Sequence, residues 1–464
     1  MHDLSKLVSN NSTLRIITDL FADRTYLVGG CIRDMLLGNK PSDFDVVTFC
    51  DVWQKARQIG ERLESKAFWM DKNRGVVRIA LKGSGQTMDV SSPKGADFVE
   101  DLKRRDITIN AMGFDVAAGE LIDPVGGLSD LGHGVIRIIS EENLKDDPLR
   151  VIRCVRFSAM LGFAIVESTA ALLRKHASRV RTVSPERVKQ EFMKALNCPY
   201  GARFFSLMDS VGLMEILFAR DFSSGEGLGL TSGRSALIMA FEMDGLIYDA
   251  QRLLPGIGEA LALEMESGLS RAGLLRLVTV LYGMGVPWSI DESTKGTQPF
   301  PSSDKQCARA AHAFCRSFRF SSNAITMARR VIACQATVHD ILRRKDLSAR
   351  AFHNLCDAAE PFLPEVLLLA RARVFGAGHG AREYKGVEGS RVKELLDSAW
   401  IYYRDTYQAH KRSPLINGED VMNTLGLAPG PQVGKVLHII EMARADGTVH
   451  TRSDAFDCLH TIDL

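Results

Sequence analysis

Residues 27–48 read LVGGCIRDMLLGNKPSDFDVVT, and this stretch decides the fold expected for the first part of the chain. Two adjacent glycines, Gly29 and Gly30, separate a short apolar run from CIRDMLL, whose apolar residues have helical spacing. A glycine and a proline then end the helix, and FDVVTF (44–49) has the β-branched and aromatic residues of a strand. The stretch therefore predicts a strand, a glycine turn, a helix and a second strand.

Two aspartates, Asp43 and Asp45, begin the second strand. The period of a strand puts both carboxylates on one face and Phe44 on the other. Neighbouring carboxylates repel each other unless a dication lies between them, and Mg²⁺ takes carboxylate oxygens while keeping positions open for phosphate. Two such ions could activate an attacking hydroxyl and hold a leaving pyrophosphate. A solvated turn before a strand is the alternative for these two residues alone.

The upstream glycines favour the functional alternative. Because Gly29 and Gly30 lack Cβ atoms, their backbone N–H groups can approach a phosphate at the start of the helix. Arg33, one turn into the helix, adds a charged donor. Together these features predict one site for a nucleotide and its metal ions.

The composition sets outer limits. A chain of 464 residues predicts two to four domains, and a net charge of +2 leaves local clusters to decide whether nucleic acid binds. The nine cysteines contain no CxxC pair, which indicates reduced thiols. With no signal peptide and no apolar run of about 18 residues, the expectation is a cytoplasmic protein with no membrane contact.

Strand-like and helix-like runs alternate over the first 140 residues, with further strands predicted at VVRIAL (76–81) and TMDVSS (87–92). From residue 142 almost every segment has the helical period. The predicted layout is a head of strands and helices followed by a long helical body.

The motif GGCIRDMLLGNKPSDFDVVT resembles the signature of class II tRNA nucleotidyltransferases and bacterial poly(A) polymerases, a family of the polymerase-β superfamily. Further segments match the family in the same order, namely RRDITINAM (104–112), DPVGGLSDLGHGVIR (123–137), DDPLRVIRCVRFSAMLGF (146–163) and SPERVKQEF (184–192). The resemblance is dense over 26–192 and thinner beyond. It implies an α+β protein, with a small polymerase-β-like head containing a mixed sheet and an elongated all-helical neck, body and tail.

Four domains follow from the resemblance: a catalytic head (1–138), a neck that selects the nucleobase (139–200), a body (201–345) and a tail that binds tRNA (346–464). Some family members carry a phosphohydrolase module with a His-Asp pair in the body. Here Tyr282-Gly283 and Gln335 would take the places of its ligands, so a degenerate module is expected.

The resemblance assigns the catalytic metals to Asp43 and Asp45. Asp89 is a candidate third carboxylate, although an ordinary edge-strand charge is an equal alternative. In RRDITIN the arginines suit a triphosphate and the asparagine suits ribose hydroxyls. The candidate nucleotide-binding residues are Gly29, Gly30, Arg33, Arg104, Arg105, Asn110, Asp147, Arg150, Arg153 and Arg156.

The segment DDPLRVIRCVRF (146–157) has charged residues at helical spacing. At about 100° per residue, Asp147, Arg150 and Arg153 share a helix face opposite an apolar stripe. A salt bridge on a solvated face is one account. A second account is base selection, because cytosine and adenine each present an amino donor beside a ring-nitrogen acceptor, which a carboxylate and a guanidinium match. The resemblance assigns this selection to Asp147 and Arg150, with Arg153 and Arg156 as candidate phosphate contacts.

The expected function is Mg²⁺-dependent transfer of C and/or A from CTP and ATP to the 3′ end of tRNA. Alternatives are a poly(A) polymerase, an enzyme adding only CC or only A, and a catalytically inactive RNA-binding protein. MDVSSPKG departs from the usual family segment, which puts full CCA addition in question. Basic clusters at 343–350, 370–375 and 404–412, with Tyr402, Tyr403 and Tyr407, are candidate RNA contacts. Neither DNA nor an obligatory protein partner is expected.

Overall fold

The computed structural model describes residues 4–20, 24–83, 85–222, 233–285, 301–344, 347–376 and 389–462. It contains two compact units, one formed by Met1–Glu191 with Leu207–Ile216 and the other by Phe192–Ser206 with Leu217–Leu464. The boundary predicted between body and tail, at 345–346, lies outside the described residues. The division into four domains stays a prediction.

A seven-stranded sheet organises the first unit. Its strands are β1 (Thr25–Val28), β2 (Asp43–Thr48), β3 (Ala67–Asp71), β4 (Val76–Ala80), β5 (Thr87–Ser91), β6 (Gly113–Asp115) and β7 (Glu120–Ile122). The spatial order is β3-β4-β5-β2-β1-β6-β7. Strands β2 and β5 run parallel, and the other neighbours run antiparallel. The mixed sheet expected from the sequence is confirmed.

Short helices and two small strands complete this part of the chain. They are α1 (Leu4–Asn10), α2 (Ser12–Leu20), α3 (Gly30–Leu36), α4 (Val52–Arg62), α5 (Phe98–Lys103), α6 (Gly127–His133), β8 (Val135–Ile136), α7 (Glu141–Asp146), α8 (Leu149–Leu161), β9 (Ala164–Ile165) and α9 (Glu167–His176), with 3₁₀ turns at Thr108–Asn110 and Ala177–Thr182. Three helices have residues in both units, namely α10 (Pro185–Leu196), α11 (Gly201–Ser210) and α12 (Leu213–Phe222).

The second unit is helical apart from one small two-stranded ladder in its described residues. Its elements are α13 (Gly233–Tyr248), α14 (Ala250–Leu253), α15 (Ile257–Ala262), β10 (Glu264–Glu266), β11 (Leu269–Ser270), α16 (Arg271–Gly285), α17 (Pro301–Ser317), α18 (Ser322–Ala333), α19 (Gln335–Arg344), α20 (Ala349–Ala359), α21 (Leu363–Gly376), α22 (Gly389–Ile401), a π-helical turn (Tyr402–Tyr407), α23 (Gln408–Arg412), α24 (Gly418–Leu425), α25 (Pro431–Ala445) and α26 (Arg452–Leu459). This agrees with the expected helical remainder of the chain.

The alternation of β2 decides which face of the sheet is open. Phe44 and Val46 are buried, whereas Asp43 and Asp45 lie on the opposite face and reach solvent.

The edge strand β3 is held against α4 by Trp69, whose ring stacks on Trp53 of α4 with centroids 5.4 Å apart. The register of β3 with β4 shifts between Trp69 and Asp71, which makes a bulge.

Candidate active site

Three carboxylates lie on the open face where β2 and β5 run side by side. Asp45 is the register partner of Asp89, and Asp43 is the partner of Thr87, whose hydroxyl donates to Asp43 Oδ1 at 2.8 Å. Arg78 on β4 donates through Nε and Nη2 to the two oxygens of Asp89, each at 2.7 Å. The structure therefore places the predicted pair and the candidate third carboxylate together, with Asp89 held by an arginine.

Asp45 is the carboxylate of this group whose ionisation is made less favourable by its surroundings. Although Asp45 reaches solvent at the open face, its pKa is raised above the usual value, first because protein packed around the site displaces part of the surrounding water and then because Asp89 and Asp43 add negative charge. Arg105 offsets part of the rise. A group of carboxylates that disfavours its own ionisation is well suited to a cation. Among the described residues, however, no three His, Cys, Asp or Glu side chains are close enough to form a ready metal cage.

The glycine turn brings the start of α3 against these carboxylates. Gly29 has φ of +76°, where a side chain is strained. A Cβ at this position would also lie 2.8 Å from Arg105 Nη1 and 3.4 Å from Asp45 Oδ2. Gly29, Arg105 and Asp45 are thus in close contact, and glycine is needed both for the turn and for the guanidinium beside it.

A chain of charged side chains continues from this turn into the helices that follow. Arg33 Nη1 donates to Asn110 Oδ1 at 2.6 Å, and Asn110 in turn donates to Asp106. Arg153 donates to Asp106 Oδ2 at 2.8 Å through Nε and contacts Glu191 at 3.4 Å. This network fixes three predicted nucleotide-binding residues, and Asp106 and Glu191 hold it together.

Asp106 and Arg153 form the ion pair at the centre of this network, and Asp106 is buried. Burial alone would raise the pKa of Asp106, but the neighbouring Arg153 lowers it to about 2, with help from Asn110 and the Ile107 amide. Sequence reasoning missed the roles of Asp106 and Glu191.

Arg156 is 5% exposed and is held by protein partners, whereas the side chain of Arg153 is 31% exposed. Its Nε donates to Glu191 Oε2 at 2.5 Å, and its guanidinium lies over the ring of Phe157, 3.9 Å from the centroid. These contacts hold α8 against α10 and leave Arg156 poorly placed for a phosphate. Arg104 is likewise directed to a protein partner, Glu100, at 2.5 Å.

The start of α8 holds the predicted base-selecting pair in a way that a helical wheel does not describe. Asp147 is not helical, because α7 ends at Asp146 and Pro148 restricts the residue before it to an extended backbone. Its carboxylate pairs with Arg187 Nη2 at 2.7 Å and not with Arg150. The alternative account of these two residues, a salt bridge between Asp147 and Arg150 on a solvated helix face, is therefore wrong.

Backbone carbonyls hold Arg150. Its Nη2 donates to the carbonyl of Arg104 at 2.6 Å, and its Nη1 donates to the carbonyls of Arg105 and Asn143 at 3.3 and 3.1 Å. Both members of the predicted pair are thus oriented by protein groups. The contact from Arg187 was not anticipated from the sequence.

In the second unit, the positions expected to replace metal ligands have structural partners. Tyr282 is fully buried, and its hydroxyl donates to Asp304 Oδ1 at 2.8 Å and accepts from Arg373. Gln335 Nε2 donates to the carbonyls of Val331 and Val366, each at 3.1 Å. These groups pack the helices together.

The three tyrosines that are candidate RNA contacts pack against other aromatic rings, and Tyr402 and Tyr403 remain partly exposed. Trp400, Tyr403 and Tyr407 form a continuous stack with centroid distances of 5.7 and 5.8 Å, and Tyr407 is only 3% exposed. Tyr402 packs against Phe352. Tyr407 is therefore too buried to stack on an RNA base, whereas RNA contact by Tyr402 and Tyr403 stays a prediction. None of the described helices is long and apolar enough to cross a membrane.

Three family models match the chain. They describe a poly A polymerase head domain at 25–137, an RNA and SrmB-binding site of polymerase A at 162–223, and a tRNA nucleotidyltransferase domain 2 at 384–457. The first covers the sheet and the glycine turn that carry the carboxylates.

Similar proteins extend the match over most of the chain. A CC-adding tRNA nucleotidyltransferase of Geobacter sulfurreducens is 28% identical, over 93% of this chain and 90% of its own. An A-adding tRNA nucleotidyltransferase of Deinococcus radiodurans is 29% identical, over 92% and 93%. The solved CCA-adding enzyme of Thermotoga maritima, in complex with tRNA, shares the fold with a TM-score of 0.68 at 22% identity, over 99% and 98%. The chain thus matches class II tRNA nucleotidyltransferases and bacterial poly(A) polymerases both in its head-domain family model and in relatives aligned over more than nine-tenths of its length.

Proposed function

We propose that this protein transfers C and/or A from CTP and ATP to the 3′ end of tRNA and releases pyrophosphate. The observation that carries the proposal is the placement of Asp43, Asp45 and Asp89 on one open face beside the Gly29–Gly30 turn. The names of the relatives from Geobacter and Deinococcus support tRNA as the acceptor. Because all nine cysteines are unpaired, we place the reaction in the reducing cytoplasm.

The carboxylates fit Mg²⁺ although they form no complete cage. Mg²⁺ is commonly bound through one or two carboxylates together with substrate phosphates, so Asp43 and Asp45 are a sufficient protein contribution. The raised pKa of Asp45 indicates a site whose negative charge lacks full compensation. Asp89 is an additional candidate ligand once Arg78 releases it. Two bound Mg²⁺ ions would activate the attacking hydroxyl and neutralise charge on the leaving pyrophosphate.

The protein supplies position and charge for the transfer. The 3′ oxygen of the RNA forms a bond to the α-phosphorus of the nucleotide, and the bond from that phosphorus to pyrophosphate breaks in line with it. Backbone N–H groups at the start of α3, with Arg33, Arg105 and Arg153, would hold the triphosphate. The network through Asp106 and Asn110 keeps Arg33 and Arg153 in fixed positions before the nucleotide arrives.

Asp147 and Arg150 would select the base. The carboxylate accepts from the amino group of cytosine or adenine, and the guanidinium donates to the adjacent ring nitrogen. Uracil and guanine would leave these polar groups unpaired, which is a costly mismatch in a closed site. The contacts from Arg187 to Asp147 and from three carbonyls to Arg150 support the proposal, because they orient both groups in advance.

A second candidate function is the addition of only part of the CCA end. It is favoured by the relatives from Geobacter and Deinococcus, whose names specify CC addition and A addition. A poly(A) polymerase would use the same carboxylates but would select ATP alone and accept many RNA 3′ ends. The placement of three carboxylates on the open face argues against a catalytically inactive RNA-binding protein.

Extension of defined tRNA transcripts tests the proposal. Purified protein with Mg²⁺ receives transcripts ending at the discriminator base, at C and at CC, each with CTP, ATP or both, and products are resolved to one nucleotide. Ordered growth to CCA identifies full addition, whereas a stop at CC, or one A added only to the CC end, identifies partial addition. Long A tails on unrelated RNA would identify a poly(A) polymerase, and no incorporation on any primer would refute the proposal.

A further inference from the structure

Phe68 and Met70 form an apolar strip on the edge strand β3. They are 48% and 55% exposed, although both are large apolar side chains. Trp69 between them is stacked on Trp53 of α4. Trp69 faces α4, and side chains alternate along a strand, so Phe68 lies on the sheet face opposite α4.

That face is the one that carries the carboxylates. The strand registers place Phe68 opposite Arg78, Arg78 opposite Asp89, and Asp89 opposite Asp45. These four residues form one row across β3, β4, β5 and β2. At about 4.8 Å between neighbouring strands, the row places Phe68 about 14 Å from Asp45.

The other side of β2 is taken by the groups proposed for the triphosphate. Gly29 follows β1, and Arg33 and Arg105 lie with it on that side of Asp45. In-line displacement requires the attacking oxygen and the leaving pyrophosphate to lie on opposite sides of the α-phosphorus. The RNA 3′ end must then approach over β5, β4 and β3.

We infer that Phe68 is a stacking platform for a base near the 3′ end of the RNA acceptor, an inference that rests on the proposed function. An aromatic ring stacks on any base, and the exposed ring of Phe68 lies in the same row as the carboxylates. A second protein chain fits less well, because two side chains offer far less than the roughly 800 Å² per partner of a stable interface.

The test measures RNA binding without catalysis. A short single-stranded RNA ending in CC, with 2-aminopurine near its end and a 3′-deoxy terminus, is titrated with protein, and stacking is read from fluorescence quenching. Phe68→Ala and Phe68→Leu should lose the quenching and weaken binding at least about fivefold. Phe68→Tyr should keep both. Phe241→Ala on α13 is the matched control, because Phe241 is 53% exposed.

Extension assays with full-length tRNA complete the test. Phe68→Ala should raise the KM for tRNA and leave the KM for the nucleotide close to that of the wild type. Wild-type quenching in Phe68→Leu, or an unchanged KM for tRNA in Phe68→Ala, would refute the platform while leaving the proposed function intact. A dimer that dissociates on Phe68→Ala in sedimentation would instead assign the strip to a second copy of the chain. If the wild type incorporates no nucleotide on any primer, the proposed function fails and the inference with it.

Discussion

Asp45 and Asp89 are register partners on neighbouring parallel strands, yet their electrostatic surroundings differ. Both oxygens of Asp89 accept hydrogen bonds from Arg78, whereas the pKa of Asp45 is raised by loss of solvent and by its carboxylate neighbours. In the absence of bound cations, the ionised carboxylate of Asp45 therefore lowers the stability of the folded protein.

Asp45→Asn should stabilise the protein in the absence of Mg²⁺ at neutral pH, because the uncharged amide removes repulsion from Asp43 and Asp89. The expected rise in Tm is on the order of 1–2 °C. A carboxyl group whose pKa is raised in the folded protein destabilises that protein as pH rises through the pKa. The Tm of Asp45→Asn should therefore exceed that of the wild type at pH 7, and the difference should be absent near pH 3. Added Mg²⁺ should stabilise the wild type more than the variant. A lower Tm for Asp45→Asn at pH 7 would contradict the assignment.

Asp43→Ala should reduce nucleotide transfer by at least about a thousandfold, since a metal-binding carboxylate is lost. Binding of tRNA should stay near the wild-type value in a filter-binding assay, because Asp43 lies on the open sheet face and holds no core residue in place. Asp19→Ala, at an exposed position on α2, is the control and should leave both quantities unchanged. Retained transfer by Asp43→Ala would show that the metal site has been misassigned.

Asp106→Asn should destabilise the first unit, because the guanidinium of Arg153 loses its charged partner in a buried network. The expected loss is about 1–3 kcal/mol in the free energy of unfolding, measured by urea denaturation. The lowered pKa of about 2 means that this stabilisation is complete above the usual pKa of an aspartate and disappears as pH falls toward 2. Asp405→Asn, which removes an exposed partner of Arg404, should show no measurable change.

Arg187→Ala should loosen base selection without abolishing transfer, because Asp147 loses the arginine that orients it. We expect the preference for CTP over UTP, or for ATP over GTP, to fall about tenfold in kcat/KM. Arg174→Ala is a matched control, since Arg174 and Arg187 are equally exposed and each forms one ion pair with a carboxylate. Unchanged selectivity in Arg187→Ala would limit this residue to a role in stability.

The elements around the active site could be predicted because their signals are local. A two-residue period placed Asp43 and Asp45 on one face, and adjacent glycines marked the turn into α3. The partners of these residues could not be predicted, because they come from distant segments. Glu191 reaches Arg156 across 35 residues, and Arg187 reaches Asp147 across 40.

Two errors have clear physical reasons. A helical wheel assumed that Asp147 is helical, but Pro148 keeps it extended before α8 begins. Tyr407 was expected to reach RNA because it accompanies basic residues, but its ring is buried and stacks on Tyr403.

The bulge between Trp69 and Asp71 has a consequence for self-association. An edge strand with free hydrogen-bonding groups and exposed apolar side chains is a template for strand addition by another molecule, the first step of aggregation. A bulge interrupts the regular spacing of those groups and twists the strand, so an incoming strand finds no continuous partner. The bulge thereby makes the exposed apolar edge of β3 a poorer template for pairing with a strand of another molecule.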